Sequence, residues 1–134
     1  MNIAVAIFLI LHGLVHLLYL GQSMKWYQLG EGMTWPENSW AFSRLFGNKT
    51  IRVIASISCV FATLVFIVGS GCILAKQPVW LSITVGAAAF SSLLVILMWD
   101  GKMKELANKG LFAILINIAI IILLLVVGWP DFGF

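Results

Sequence analysis

Four long runs of apolar residues, separated by shorter polar segments, divide this chain. The runs cover about 3–20, 51–75, 79–98 and 110–127. Each is close to or above the roughly 18–20 apolar residues that a helix needs to cross the hydrocarbon core of a bilayer. The short second and third connections make sequential helices antiparallel neighbours. The pattern predicts an all-α fold, in which residues 1–134 form a single transmembrane domain, an antiparallel four-helix bundle.

The first connection, residues 21–50, is the only long one. It carries four aromatic residues of the kind that favour the headgroup level of a membrane: Trp26, Tyr27, Trp35 and Trp40. Pro36 and Glu37 are typical of a helix start, and Gly47 is typical of a helix stop. We therefore expect a short interfacial helix at about 37–46, lying against one face of the membrane.

The composition agrees with a membrane protein and argues against a soluble domain and a nucleic-acid-binding protein. Hydrophobic residues make up 62% of the chain and charged residues only 10%, and the mean hydropathy is +1.07. A soluble domain of this size needs far more polar surface. The net charge of +3 comes from basic residues at helix ends, which is no nucleic-acid footprint. Cys59 and Cys72 lie ~20 Å apart along one helix, too far for a disulfide.

The distribution of basic residues predicts the orientation. Seven of the eight lie in or beside the first and third connections: Lys25, Arg44, Lys49, Arg52, Lys102, Lys104 and Lys109. Only Lys76 lies at the other end of the helices. Basic connections usually stay in the cytoplasm. We expect a multi-pass protein of the prokaryotic cell membrane, with connections 21–50 and 100–109 in the cytoplasm and both termini outside.

The first helix carries the only two histidines of the chain, His12 and His16. Their spacing places both imidazoles, together with Tyr19, on one helix face. Ionisable groups inside a membrane are costly and usually face the interior of a bundle. We therefore expect this face to point towards the other three helices.

Depth in the membrane suggests what lies opposite the histidines. Counted at ~1.5 Å per residue from the end that bears the basic connections, His16 lies ~6 Å deep and His12 ~12 Å deep. Polar residues of the other helices fall at similar depths of ~8–12 Å: Ser56, Cys59, Ser91, Ser92 and Asn117. The candidate ligand-binding residues are His12, His16, Tyr19, Cys59 and Asn117.

Three interpretations of this set are open. The polar side chains could simply join helices, since Ser, Thr and Cys are inexpensive in membranes and Asn117 can bond across an interface. His12 and His16 could instead be metal ligands, with Cys59 as a third, or hold haem with help from a second subunit. In the third interpretation they form the polar end of an apolar pocket for a lipid, a quinone or a similar molecule, with possible proton-linked transport.

We favour the pocket, and binding over catalysis, because no set of nucleophile, base and carboxylate can be assembled within the spans. A second feature concerns assembly. Two faces of small residues suit close helix packing: Ser82, Gly86 and Ala89 on the third helix, and Gly110, Ala113 and Asn117 on the fourth. They suggest a homo-oligomer or an accessory subunit of a larger membrane complex.

The layout of four spans in about 130 residues resembles the DoxX-like group of small bacterial membrane proteins. The run from Leu11 to Leu17, which contains both histidines, resembles one near the start of other small prokaryotic four-helix membrane proteins. The resemblance implies a bundle of bacterial or archaeal type and carries no activity with it. Small multidrug transporters resemble the chain poorly, because its first helix has no carboxylate.

Overall fold

The computed structural model describes residues 1–134 and is entirely helical. Helix α1 is Asn2–Ser23, α2 is Asn48–Leu74, α3 is Trp80–Met98 and α4 is Phe112–Ile122. Two π-helical segments, Ala107–Leu111 and Leu123–Val127, extend α4 into a fourth span of 21 residues. All four helical stretches are long and apolar enough to cross a membrane. The predicted all-α, four-helix architecture is confirmed.

Glycines allow the closest approaches between helices. A Cβ atom on Gly13 of α1 would lie 2.8 Å from Cβ of Phe66 in α2, so only glycine fits there without a shift. Gly110 has a φ of 103°, and a Cβ on it would lie 2.6 Å from a methyl group of Val95 in α3. Its positive φ makes the local kink that starts the fourth span.

Helices that follow one another in sequence are also neighbours in space. α1 packs on α2, α2 on α3, and α3 on α4, whereas α1 and α4 make no comparable contact. The backbones of α1 and the fourth span are therefore farther apart than those of the other neighbouring helices, although Leu9 and Ile120 belong to one hydrophobic cluster. We call this boundary the α1–α4 seam. We call the end of the bundle with the first and third connections the basic side, and the opposite end the terminal side.

Two hydrophobic clusters fill the bundle. The cluster towards the terminal side contains Phe66, Ile73 and Trp80, with Ile120 and Leu124 from the fourth span. The cluster towards the basic side joins parts of α2 and α3 to the first connection: Met33, Trp35, Ile51, Ala55, Cys59, Leu94 and Met98. The aromatic connection is thus a part of the core on its side.

The first connection contains no helix at 37–46, which corrects that prediction. The segment forms consecutive turns, for two local reasons. Asn38 adopts a left-handed φ of 61°, which a continuous right-handed helix does not allow. The hydroxyl of Ser39 accepts hydrogen bonds from the backbone N–H groups of Ala41 and Phe42, competing with helical bonds.

These turns close over the end of α3. Ser39, fully buried, donates its hydroxyl to the carbonyl of Leu97. The Trp40 indole donates to the carbonyl of Ile96 at 2.7 Å, and the Trp40 backbone N–H donates to the carbonyl of Trp99 at 2.8 Å. The connection thereby satisfies carbonyls that a helix end leaves without intrahelical partners.

The predicted small-residue faces have different fates. On the fourth span, Gly110, Ala113 and Asn117 are buried within the bundle. On α3, however, Ser82, Gly86 and Ala89 are exposed, and that face packs against nothing in the chain. α3 buries Thr84, Ala87, Ala88 and Ser91 instead. α3 carries apolar and small residues on all of its faces, so its sequence does not indicate which face points inwards.

A buried ion pair fixes the third connection. The Lys109 ammonium donates to both carboxylate oxygens of Asp100, at 2.9 and 3.0 Å, and the two side chains are 5% and 6% exposed. Burial by itself raises the pKa of Asp100. The hydrogen bonds from the Lys102 backbone N–H and from Lys109, together with the positive charges, outweigh burial and place that pKa below its ordinary value.

Replacing Asp100 by asparagine should therefore destabilise the protein at neutral pH. The loss leaves Lys109 buried without a counter-charge, which costs about 3 kcal/mol. Because the folded-state pKa of Asp100 is depressed, its contribution is complete above the unfolded-state pKa and is lost as pH falls through the folded-state pKa. The difference in unfolding free energy between wild type and D100N, measured in detergent, should shrink once pH drops below 3.8, the ordinary pKa.

The exposed Asp131 provides the control, since its carboxylate accepts only a local bond from the Gly133 N–H. D131N should leave stability unchanged at every pH. Equal unfolding free energies for D100N and D131N at neutral pH would show that the ion pair contributes nothing.

Candidate functional site

Four polar side chains from three helices form one continuous hydrogen-bonded chain within the bundle. Nε2 of His12 lies 2.7 Å from Oδ1 of Asn117. Nδ2 of Asn117 donates to Oγ of Ser91 at 2.8 Å, and Oγ of Ser91 lies 2.6 Å from Nε2 of His16. We call these four residues the polar network. It joins α1 to α3 and bridges the α1–α4 seam.

The carbonyl of Gly13 gives the network its direction. It lies 3.1 Å from Nδ1 of His16 and can only accept a hydrogen, so Nδ1 carries one. With neutral imidazoles, Nε2 of His16 then accepts from the Ser91 hydroxyl. Ser91 accepts from Asn117, whose Oδ1 accepts from Nε2–H of His12. Each hydrogen bond in this series therefore joins one donor to one acceptor.

The polar network is shielded from the surroundings of the protein. The two histidines are 5% and 3% exposed, and Ser91 and Asn117 are 0% exposed. The ring of Phe66 from α2 packs edge-on against His12, with the centroids 5.0 Å apart. Unpaired polar atoms in such a dry site would be costly, so the mutual satisfaction of these groups strongly favours one arrangement of the three helices.

The α2 helix takes part through Thr63. Its hydroxyl approaches the carbonyls of Gly13, at 2.9 Å, and of Cys59, at 3.0 Å. The Gly13 carbonyl therefore accepts from both Thr63 and His16. This shared acceptor connects α2, the one helix that contributes no residue to the polar network, to that network.

Two of the candidate residues lie outside the polar network. Cys59 is fully buried in the hydrophobic cluster of the basic side, where it packs as a small apolar residue. Tyr19 packs against the same cluster, and its ring lies edge-on to Trp35 with the centroids 5.3 Å apart. The structure thus brings together His12, His16 and Asn117 and separates them from Tyr19 and Cys59.

An apolar cavity of about 520 Å³ occupies the terminal side of the α1–α4 seam. We call it the seam cavity, and its wall comes from α1, α3, the fourth span and the segment after it: Met1, Ala4, Val5, Phe8, Leu9, Trp80, Thr84, Ile120, Leu123, Leu124, Trp129 and Pro130. Thr84 is the only residue with a hydroxyl in this wall, and its Oγ1 lies close to Gly69 of α2. The seam cavity is therefore lined by hydrocarbon.

The seam cavity ends beside the polar network. Phe8, in its wall, stacks on His12 with an interplanar angle of 9° and a centroid distance of 6.2 Å. Ile120, also in the wall, is one helical turn from Asn117. His12 uses Nε2 for Asn117, and its Nδ1 makes no hydrogen bond within the protein. The stacked rings of Phe8 and His12 thus connect the wall of the seam cavity to the polar network.

The residues present do not form a metal site. No three His, Cys, Asp or Glu side chains come together in a way that could hold one ion. Nε2 of each histidine is occupied by a protein partner, and Cys59 belongs to a different cluster. A metal held by both histidines would have to displace a bond of His16, because Gly13 and Ser91 occupy both of its nitrogens.

Comparison with known proteins adds no relative to this description. No protein-family model, no curated protein and no solved structure matches the chain.

Sequence reasoning left Ser91 and the seam cavity out of the candidate set. Ser91 shares its depth with Asn117 and the histidines, so the depth comparison contained the signal. It could not separate Ser91 from Ser92, which bonds to the Ala88 carbonyl of its own helix at 2.9 Å. The seam cavity depends on which helices fail to pack, which no local pattern encodes.

The adjacent serines give a matched test of the polar network. S91A leaves a donor of Asn117 and an acceptor of His16 unpaired, so we expect a loss of about 1–2 kcal/mol in unfolding free energy. S92A removes only a bond within one helix and should change stability by less than about 0.5 kcal/mol. Reversible unfolding in mixed micelles measures both, and equal effects would mean that the polar network does not hold the helices.

Proposed function

We propose that this protein binds a hydrophobic or amphiphilic small molecule in the seam cavity. The proposal rests on one observation: the bundle is open along the α1–α4 seam, and the opening ends beside its buried polar network. The class of ligand is that of a membrane lipid, a quinone or a similar compound, with an apolar body and one hydrogen-bonding group.

Size and chemistry support this class. A volume of about 520 Å³ falls within the roughly 300–1,000 Å³ typical of small-molecule sites. The hydrocarbon wall matches the apolar body of such a ligand. Trp129 and Pro130 close the cavity at the terminal side, where indole rings commonly mark the membrane surface.

The polar contact in this proposal is Nδ1 of His12. When the phenyl ring of Phe8 turns away, the seam cavity extends to the imidazole. A neutral imidazole whose Nε2–H is held by Asn117 presents Nδ1 as an acceptor. A ligand hydroxyl then donates to it, while the polar network keeps the imidazole in one tautomer.

Binding accounts for the geometry better than proton transfer or metal chemistry. The middle link of the polar network is the Asn117 amide, which would have to tautomerise to pass a proton. The metal interpretation, with both histidines as ligands, would break a bond of His16, whose two nitrogens bond to Gly13 and Ser91. A binding role leaves the polar network intact and uses only the free nitrogen of His12.

Filling the seam cavity should abolish binding without disturbing the fold. Ala4 lies in the wall and is exposed there, so A4F places a ring where the ligand would lie. We expect at least about a tenfold loss of affinity for decylubiquinone, measured by quenching of tryptophan fluorescence in nanodiscs. Oleate retention, measured by native mass spectrometry, should fall in the same variant.

The control is A89F, because Ala89 is exposed on α3 away from the seam cavity. It adds the same ring to the protein and should leave both measurements at the wild-type value. If A4F and A89F bind either probe as wild type does, the seam cavity is not the site.

We also propose that the basic side faces the cytoplasm of a prokaryotic cell, with both termini outside. Seven of the eight basic residues lie on that side, as the positive-inside rule requires. Single cysteines at positions 25 and 104 should react with a membrane-impermeant maleimide only after the cells are opened. A cysteine at position 76 should react in intact cells, and labelling of position 76 from the same side as the others would contradict this topology.

A further inference from the structure

A second cavity lies on the basic side, between the end of α1, the start of α2 and the first connection. It has a volume of about 240 Å³ and is the most polar of the main cavities. We call it the surface pocket, and its wall consists of Gln22, Lys25, Tyr27, Gln28, Met33, Thr34, Trp35, Glu37 and Arg52. It shares no residue with the seam cavity or the polar network.

Positive charge dominates the surface pocket. Oε1 of Glu37 lies 3.0 Å from the Lys25 ammonium and 3.4 Å from Nε of Arg52. One carboxylate thus serves two cations and leaves one positive charge uncompensated. Arg52 is anchored at its other end, since its carbonyl accepts from the hydroxyls of Ser23 and Ser56, each at 2.8 Å.

Hydrogen-bond donors also exceed acceptors here. The indole N–H of Trp35 is buried and makes no hydrogen bond, and Nε of Arg52, although within ion-pair distance of Glu37, makes none either. Gln22 is already used, since its amide donates to the carbonyls of Met33 and Trp35 and accepts from the N–H of Leu29. Those bonds hold the wall in place. Glu37 is the only carboxylate in the wall, so the chemistry missing from the pocket is that of an anionic, oxygen-rich group.

We propose that the surface pocket binds a phosphate monoanion, as carried by the phosphodiester of an anionic phospholipid. The single negative charge of the phosphate neutralises the one positive charge that Glu37 does not compensate. The phosphate oxygens accept charge-assisted hydrogen bonds from Lys25 and Arg52. Trp26, which is exposed and follows Lys25 of the wall in the sequence, favours a position of the pocket at headgroup level. A soluble phosphate ester offers the same chemistry and is separated from the lipid by the test.

The test uses the full chain in nanodiscs of phosphatidylcholine containing a minority of phosphatidylglycerol. Native mass spectrometry should find one phosphatidylglycerol retained per chain in preference to phosphatidylcholine. K25Q and R52Q each remove one cation and should lower that retention roughly tenfold, the effect of about 1.4 kcal/mol. K49Q removes a basic charge from outside the surface pocket and should retain the lipid as wild type does.

The decisive variant is E37Q, which should act in the opposite direction. It frees both cations from their internal counter-ion, so retention of phosphatidylglycerol should rise. General damage to the connection would lower retention in E37Q as it does in K25Q. This opposite sign separates a binding site from a structural role.

Glycerophosphoglycerol, a water-soluble phosphodiester with a single negative charge, is titrated into the phosphatidylcholine nanodiscs and identifies the source of the phosphate. Saturable binding that K25Q weakens and E37Q strengthens, without retention of phosphatidylglycerol, supports the phosphate site and assigns a soluble ester to it. Equal behaviour of wild type, K25Q, R52Q and E37Q towards both probes would overturn the proposal.

Discussion

The arrangement of this bundle depends on hydrogen bonds that have no alternative partners. In the interior of a membrane protein neither water nor lipid tails can replace a lost partner, so polar groups must pair with one another. The polar network does this with two imidazoles, one amide and one hydroxyl, each oriented by the next. Apolar packing permits α1, α3 and α4 to rotate and slide against one another. The polar network allows few such movements, because each shift would break a bond.

This pairing also explains how the bundle tolerates an open seam. α1 and α4 lack the close backbone contact that joins the other neighbouring helices, yet His12 and Asn117 bridge them at 2.7 Å. Close packing at Gly13 and Gly110 concentrates the helix contacts elsewhere. The result is a fold with a rigid centre and a cavity beside it, a combination that suits a binding site better than a uniformly packed bundle does.

The architecture could be predicted from the sequence because it follows from long-range hydropathy. The spans, their number and their antiparallel order are set by runs of apolar residues between short connections. The meeting of the histidines with Asn117 also followed, since depth in a membrane can be counted along each helix. Cys59 shows where that argument ends: it has the depth of His12 but packs among apolar side chains. Depth gives one coordinate of a side chain, and the rotation of its helix gives the other.

The sequence indicates which face of α2 points into the bundle, but it does not indicate this for α3. Ser56, Thr63 and Ser70 of α2 lie on one side of the helix at helical spacing, and all three are buried. α3 presents small and apolar residues all round, so its outward and inward faces look alike in the sequence. The turns at 37–46 combine local and distant causes: Asn38 has a left-handed φ and Ser39 bonds to nearby N–H groups, while Ser39 also bonds to Leu97 of α3. Local propensity cannot contain a partner so distant in the chain.

The dependence of the first connection on α3 has a consequence for biosynthesis. Ser39 and Trp40 leave the ribosome long before the carbonyls of Ile96, Leu97 and Trp99 exist. Until the third span has been inserted, the connection cannot complete its structure and remains at the membrane surface with its donors bonded to water. The arrival of α3 completes the connection and caps the new helix in one event. The two halves of the chain therefore mature together, and neither half is a finished folding unit by itself.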